Sequence, residues 1–138
     1  MATEYTKPFP RITDLNREYF ESGGRGVIAL QCCNKCSNIW FPVAQHCPRC
    51  LAQDYVWKPM SGRAKLWSWI VMHQVYFKSF KDDVPYVVAF VQLEEGPYLM
   101  STVVGIDRAD LHCDMPLEAN FVPAEEGTWL PVFRPAQA

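Results

Sequence analysis

Two cysteine knuckles constrain this chain more than anything else in it: Cys33-Asn34-Lys35-Cys36, ten residues, then Cys47-Pro48-Arg49-Cys50. Each C-x-x-C lets two thiolates from one tight turn reach the same ion. Two such turns facing each other complete a tetrahedron of sulfurs. Zinc prefers that geometry, and four thiolates leave no position open for a substrate, so the expected role of Cys33, Cys36, Cys47 and Cys50 is structural. Such sites bind with about 10–16 kcal/mol, enough to fold a module that buries little apolar surface. Iron in the same four-cysteine cage stays open as the alternative. Disulfides are rare in cytosolic chains. A redox C-x-x-C normally occurs once, beside a βαβ unit, and the sequence shows none.

The neighbours of the knuckles need separate readings. Cys32 adjoins Cys33 and is expected to be a small buried side chain rather than a ligand. Cys113 lies in a polar turn and reads as a free thiol. His46 precedes Cys47 and reads as a solvent-facing knuckle residue.

With 138 residues the chain suits one ordinary domain or two very small ones. A piece of about 30 residues does not fold alone without a staple. The expected division is therefore an N-terminal arm and helix (1–26), a zinc ribbon (27–60) and an all-β domain (61–138). Ile12, Leu15, Tyr19 and Phe20 share one helix face, with Thr13 or Asp14 as a cap and Gly23-Gly24 as a stop. Val27–Leu30, Ile39–Phe41 and Tyr55–Trp57 read as ribbon strands.

Beyond Ser61-Gly62 the signal is strand after strand. Ala64–Phe77 is long and rich in aromatic and β-branched residues. A polar loop follows to Pro85. Tyr86–Leu93 alternates, with Val87, Ala89, Val91 and Leu93 on one face, and the turn Glu94–Pro97 leads to a hairpin partner over Tyr98–Ile106. Asp107–Asp114 reads as a helical turn. Leu117–Val122 and Thr128–Phe133, joined through PAEEG, complete five strands. That count, interrupted after the third, predicts a mainly β chain ending in a five-stranded OB-fold barrel.

Several function classes are disfavoured. No stretch approaches the roughly 18 apolar residues of a membrane span. MATEYTKPFPR lacks the apolar core of a signal peptide, so the expected location is cytoplasmic. Net charge is −2, with 13 basic against 15 acidic residues, which argues against nucleic acid as a partner. Zinc ribbons and OB folds nevertheless both occur in such binders, so a single-stranded nucleic-acid module is the alternative reading. No catalytic residue is expected. His73 reads as structural, and Gly23-Gly24-Arg25-Gly26 lacks the Lys-Ser/Thr of a phosphate loop. The loop residues Phe77, Lys78, Phe80 and Lys81 combine rings that could cover an adenine or acyl chain with cations that could meet phosphates.

The order of these features is informative. A short helix runs into Tyr-Phe and glycines, and Trp40-Phe41-Pro42 lies between the knuckles. A Ser-Gly boundary follows, and VPYVVAFVQLEEG spans 84–96. Over residues 11–133 this order resembles the acyl-CoA-associated family of rubredoxin-like zinc ribbon plus OB-fold proteins. The resemblance implies a non-catalytic small subunit. It would pair with a thiolase-fold enzyme, or in some pathways an acyl-CoA hydratase, and help hold CoA or acyl-CoA. It carries the metal ligands onto Cys33, Cys36, Cys47 and Cys50 and carries over no catalytic residue. Within the family the chain is similar to small subunits of thiolases handling aromatic or dicarboxylic acyl-CoA, of the benzoylsuccinyl-CoA thiolase type. One departure stands out: Asp114-Met115-Pro116 occupies the place of the family's usual Ile-Gly before the fourth barrel strand.

Overall fold

A computed structural model describes residues 6–125 and 127–137. Part of the expected arm (1–5), one residue of the PAEEG turn (126) and the last residue (138) lie outside the described residues. The chain is mainly β. A short helix α1 (Arg17–Ser22) precedes β1 (Ala29–Cys33), β2 (Ile39–Trp40), β3 (Tyr55–Pro59), β4 (Arg63–Met72), β5 (Tyr86–Leu93), β6 (Tyr98–Ser101), β7 (Pro116–Pro123) and β8 (Trp129–Pro135). Two antiparallel sheets result, ordered β2-β1-β3 and β6-β5-β4-β7-β8.

The five-stranded sheet curls into the expected OB-type half-barrel. Its first and last strands approach each other. Val104 N–H donates to Phe133 O at 2.8 Å, and Phe133 N–H donates to Thr102 O at 3.0 Å. The Ser101 hydroxyl adds a bond to Pro131 O at 2.9 Å. Alternation on β5 puts Val87, Ala89, Val91 and Leu93 into the interior, where Leu66, Leu99, Leu117 and Phe133 meet them. The same cluster takes in Ile28, Leu30 and Met60, so the base of the three-stranded sheet shares the barrel core.

Several element bounds differ from the sequence expectation. The first barrel strand stops at Met72, not Phe77. Its ladder runs out where Met72 faces Tyr86, the first residue of β5. His73 therefore lies just past the strand and is exposed. The hairpin partner stops at Ser101, not Ile106; beyond it only the single bridge of Val103 to Phe133 continues. The helix starts at Arg17 and neither Thr13 nor Asp14 is its N-cap; Asn16 is, without a side-chain cap bond. Thr13 instead closes the preceding turn, its N–H donating to Asn16 Oδ1 at 2.7 Å. Gly23-Gly24 stops the α-helix as expected: it ends at Ser22 with Gly23 as its C-cap. The chain tightens into a 3₁₀ turn over Gly23–Arg25 and ends at Gly26, whose φ of 75° is left-handed. Gly23 is needed for space: a Cβ there would lie 2.5 Å from Trp129 Cβ and 2.9 Å from Phe121 Cδ1.

The departure at Asp114-Met115-Pro116 leaves the barrel intact. Asp114 adopts φ 65° and its N–H donates to Leu66 O at 2.7 Å. Met115 is buried, and β7 then starts at Pro116 opposite Lys65.

Candidate metal centre

The knuckles are built alike. In each, the N–H two residues after the first cysteine donates to that cysteine's sulfur: Lys35 to Cys33 at 3.3 Å and Arg49 to Cys47 at 3.4 Å. In each, the N–H four residues on closes the turn: Ser37 to Cys33 O at 3.0 Å and Leu51 to Cys47 O at 2.8 Å. That fifth residue is left-handed in both, with φ 63° at Ser37 and 66° at Leu51. Neither is glycine, so each turn holds local strain, of order 1 kcal/mol or more.

The two turns present their sulfurs to one point. Cys33 Sγ lies 3.5 Å from Cys50 Sγ, and Cys36 Sγ lies 3.6 Å from Cys47 Sγ. All four sulfurs lie within 4.8 Å of one another. A tetrahedral ion with metal–sulfur bonds of about 2.3 Å needs sulfurs about 3.8 Å apart, so the spacing fits a metal. It does not fit disulfides, whose sulfurs bond at about 2.05 Å.

The electrostatics divide the four thiols, favouring ionised sulfur at Cys33 and Cys47 and opposing it at Cys36 and Cys50. The Cys36 N–H, backed by that of Lys35, lowers the proton affinity of Cys33. Burial raises that of Cys47, but the N–H groups of Cys50 and Arg49 outweigh it and bring the thiol down to about 6. Cys36 accepts from Asn38 N–H, yet burial and the neighbouring sulfurs push it up to about 12. Cys50 accepts from Ala52 N–H, but the adjacent Cys33 sulfur pushes it up. A cation at the centre removes that mutual repulsion and favours all four thiolates.

Hydrogen bonds brace the cage. Buried Gln31 donates through Nε2 to Ala44 O at 2.7 Å and accepts from Ala44 N–H at 2.9 Å, fixing the segment between the knuckles. Asn34 donates to Asp54 Oδ1 at 2.8 Å, tying the first knuckle to the approach of β3. Trp40 is buried beside Cys33 and Cys47, with its ring 5.8 Å from that of Tyr55. The sequence reading missed Gln31, whose signal was one polar residue inside the otherwise apolar run Ala29–Cys33. His46 is exposed, as expected. Cys113 is an exposed free thiol. Cys32 is a correction. It is half-buried rather than buried, with Sγ 3.9 Å from Ser37 O, because β1 turns it away from the cage that holds Cys33.

The loop residues marked for CoA form a separate cluster on a 3₁₀ turn over Lys78–Phe80. Phe80 packs 5.6 Å from the Tyr86 ring and 6.5 Å from Phe77. Lys7 Nζ lies 5.3 Å from the centre of the Phe80 ring and pairs with Asp83 at 2.8 Å. Phe77, Lys78 and Lys81 are exposed. The arm thus covers one ring of the cluster and leaves the other bare.

A second aromatic group was not anticipated. Trp67 sits at a bulge between Leu66 and Ser68. Its ring meets Tyr98 edge-on at 5.4 Å, and Tyr98 stacks on Phe90 at 5.1 Å with an interplanar angle of 10°. No helix of the described residues is long and apolar enough to cross a membrane.

Comparison with known proteins adds the following. The family model described as "ChsH2, C-terminal OB-fold domain" matches residues 57–122. The chain is 33% identical over 130 residues to a "Probable enoyl-CoA hydratase alpha subunit" of Thermomonospora curvata, covering 94% of this chain and 40% of that one. The chain therefore spans well under half of that relative's length. It is 33% identical over 95 residues to a "DUF35 domain-containing scaffold protein" of Methanothermobacter thermautotrophicus, covering 68% of this chain and 71% of that one. A chain of the solved "Ltp2-ChsH2(DUF35) aldolase" superposes with a TM-score of 0.81 at 32% identity, covering 94% of this chain and all of the other.

Proposed function

This chain belongs to the DUF35 family of ChsH2-type OB-fold proteins, and from that premise we propose that it is a non-catalytic, zinc-containing accessory subunit of a thiolase-fold acyl-CoA enzyme. The observation that carries the reading is the cage of Cys33, Cys36, Cys47 and Cys50. Four thiolates saturate a tetrahedral ion and leave no open position for substrate, so this centre stiffens the protein rather than performing chemistry. Apart from the cage, the described residues with clearly shifted proton affinity are Tyr19 and Glu94. Tyr19 is raised by burial alone, and Glu94, which lines a groove beside Arg63, is lowered by that guanidinium in an ion pair rather than an acid–base pair.

Relatives named as a hydratase subunit, a scaffold and part of an aldolase complex support a place in an acyl-CoA assembly. The partner supplies the nucleophile. This chain completes or stabilises the thioester site, with Phe77 and Phe80 against the adenine or acyl part and Lys78 and Lys81 toward the phosphates. The acyl group assigned by the resemblance is aromatic or dicarboxylic.

The test is purification of the tagged chain from its own cells with metal analysis. One zinc per chain, a co-eluting thiolase-fold subunit and no thioester turnover by the chain alone are expected. Turnover by the purified chain alone overturns the reading. The ladder of Trp67, Tyr98 and Phe90 favours a second reading, stacking of single-stranded nucleic acid. It requires a gel shift that weakens steeply with salt.

A further inference from the structure

Trp40 carries a buried donor whose hydrogen bond is unmade. The residue is 5% exposed. Its indole Nε1 is sealed from solvent and has no hydrogen-bond partner, the one such side-chain atom among the described residues. Leaving a buried N–H unpaired is costly, and native structures pair nearly all of them. Trp40 borders an apolar groove shared with Phe90 and Tyr98, but a nitrogen sealed from solvent is not reached from there. Its acceptor has to come from inside the ribbon.

The ladder fixes where the ring sits. Trp40 on β2 pairs with Gln31 on β1. Cys33 lies two residues beyond Gln31 and so projects from the same face of the sheet. Trp40 accordingly packs in one cluster with Cys33 and Cys47, and Cys36, Ala44, Ala52 and Tyr55 pack around them. Two carbonyls of that shell are taken: Ala44 O accepts from Gln31 Nε2 at 2.7 Å, and Ala52 O accepts from Cys47 N–H at 2.9 Å. The side-chain acceptors in the cluster are the cysteine sulfurs and Tyr55. The Tyr55 ring meets Trp40 at an interplanar angle of 80°, and an N–H aimed at a ring is a second-order contact. A neutral thiol is also a weak acceptor. A metal-bound thiolate is charged, and hydrogen bonds to charged acceptors are roughly twice as strong.

We propose that the Trp40 indole N–H is a donor to the metal cage, hydrogen-bonding the thiolate of Cys33 or Cys47 when an ion is held there. The inference rests on the four-cysteine reading and adds a positioning residue to it. Four thiolates around a divalent ion leave an excess of negative charge, and two of the sulfurs that carry it belong to the buried residues Cys33 and Cys47. Buried charge needs donors. Cys33 has the Lys35 N–H at 3.3 Å, and Cys47 has the Arg49 N–H at 3.4 Å and Asn38 Nδ2 at 3.7 Å. The indole supplies a further donor from the one side of the cage that is lined by an aromatic ring. The sulfurs also shift against that ring on loading, since separations of 3.5 and 3.6 Å open toward about 3.8 Å. Trp40 thereby ties β2 to the cage and makes metal retention depend on it.

The test uses the full chain, isotope-labelled and loaded with NMR-active cadmium. A scalar coupling between the Trp40 indole proton and the metal is expected, carried across the N–H···S bond. Trp40→Phe assigns the signal by its loss; contacts to the Tyr55 ring assign it if that variant does not fold. In cobalt-loaded protein, Trp40→Phe should move the sulfur-to-metal charge-transfer bands to lower energy, because a sulfur without its donor gives up an electron more readily. It should also lower metal affinity by about 10–100-fold. Trp57→Phe, whose ring lies 6.1 Å from Tyr55, is the control and should leave the bands in place. Lost packing alone lowers affinity but produces no coupling in the unaltered protein. An uncoupled indole proton overturns the proposal, whether its shift places it over the Tyr55 ring or it exchanges with an internal water. Unchanged bands in Trp40→Phe overturn it as well. A chain that takes up neither zinc nor cadmium overturns the four-cysteine reading and this inference together.

Discussion

Removing the metal should melt the knuckles and spare the barrel. The cluster around the cage has three buried members, Cys33, Trp40 and Cys47, and only Trp40 among them is not a proposed ligand. Burying a tryptophan removes up to about 250 Å² from water, worth about 6 kcal/mol at 25 cal/mol per Å², as an upper bound. A four-thiolate ion supplies about 10–16 kcal/mol, so the metal is the larger contribution and Trp40 cannot replace it. The barrel core rests on other residues, among them Leu66, Val91, Leu117 and Phe133, and it also holds Ile28 and Leu30 at the foot of the ribbon. Opening should therefore be confined to residues 33–55. Hydrogen exchange read by mass spectrometry, on loaded protein, chelator-stripped protein and Cys47→Ser, reports this segment by segment. Protection should vanish over 33–55 and persist over 86–93 and 129–135. Emission should shift to the red on stripping, and Trp40→Phe should abolish that shift. Knuckles that stay protected without metal, or a Cys47→Ser protein that keeps one tightly bound ion and full protection, would refute the reasoning.

Other consequences are testable by melting. Gly23→Ala forces a Cβ against Trp129 and Phe121 and should cost about 1–3 kcal/mol, lowering Tm. Leu66→Ala, at a fully buried position facing Val91 on the next strand, should cost about 2–5 kcal/mol by chemical denaturation. Leu51→Gly relieves a left-handed, exposed residue and should leave the metal-loaded protein as stable or more so, by up to about 1 kcal/mol. Burial pushes the Tyr19 phenol from 10 up to about 12. The unfolded chain then loses this proton first, so the contribution is constant below pH 10 and falls as pH rises toward 12. Tyr19→Phe should flatten that part of the stability profile.

How much was legible in the sequence depends on where each feature is encoded. The cage was legible because a C-x-x-C pair encodes a turn and a ligand set in four consecutive residues. The interior of β5 was legible because Val87, Ala89, Val91 and Leu93 keep strict alternation, and all four are buried. The left-handed residues of the knuckles were hidden, since Ser37 and Leu51 carry none of the glycine signal that marks such positions. The end of β4 was hidden too: the residues from His73 to Phe77 include good strand formers, but β5 supplies no partner for them. The bulge at Trp67 decides which of two tryptophans is exposed, and alternation alone places both on one side. Barrel closure joins Val103 to Phe133 across 30 residues, beyond the reach of any local pattern.

The central claim is that this chain serves a partner's acyl-CoA chemistry without performing it. It is tested most directly by assaying thioester cleavage with the purified thiolase-fold partner, with and without the metal-loaded chain. The account predicts little or no turnover by either protein alone and recovery when both are combined, saturating at a fixed ratio. Full activity of the partner by itself, unchanged when the chain is added, would contradict it.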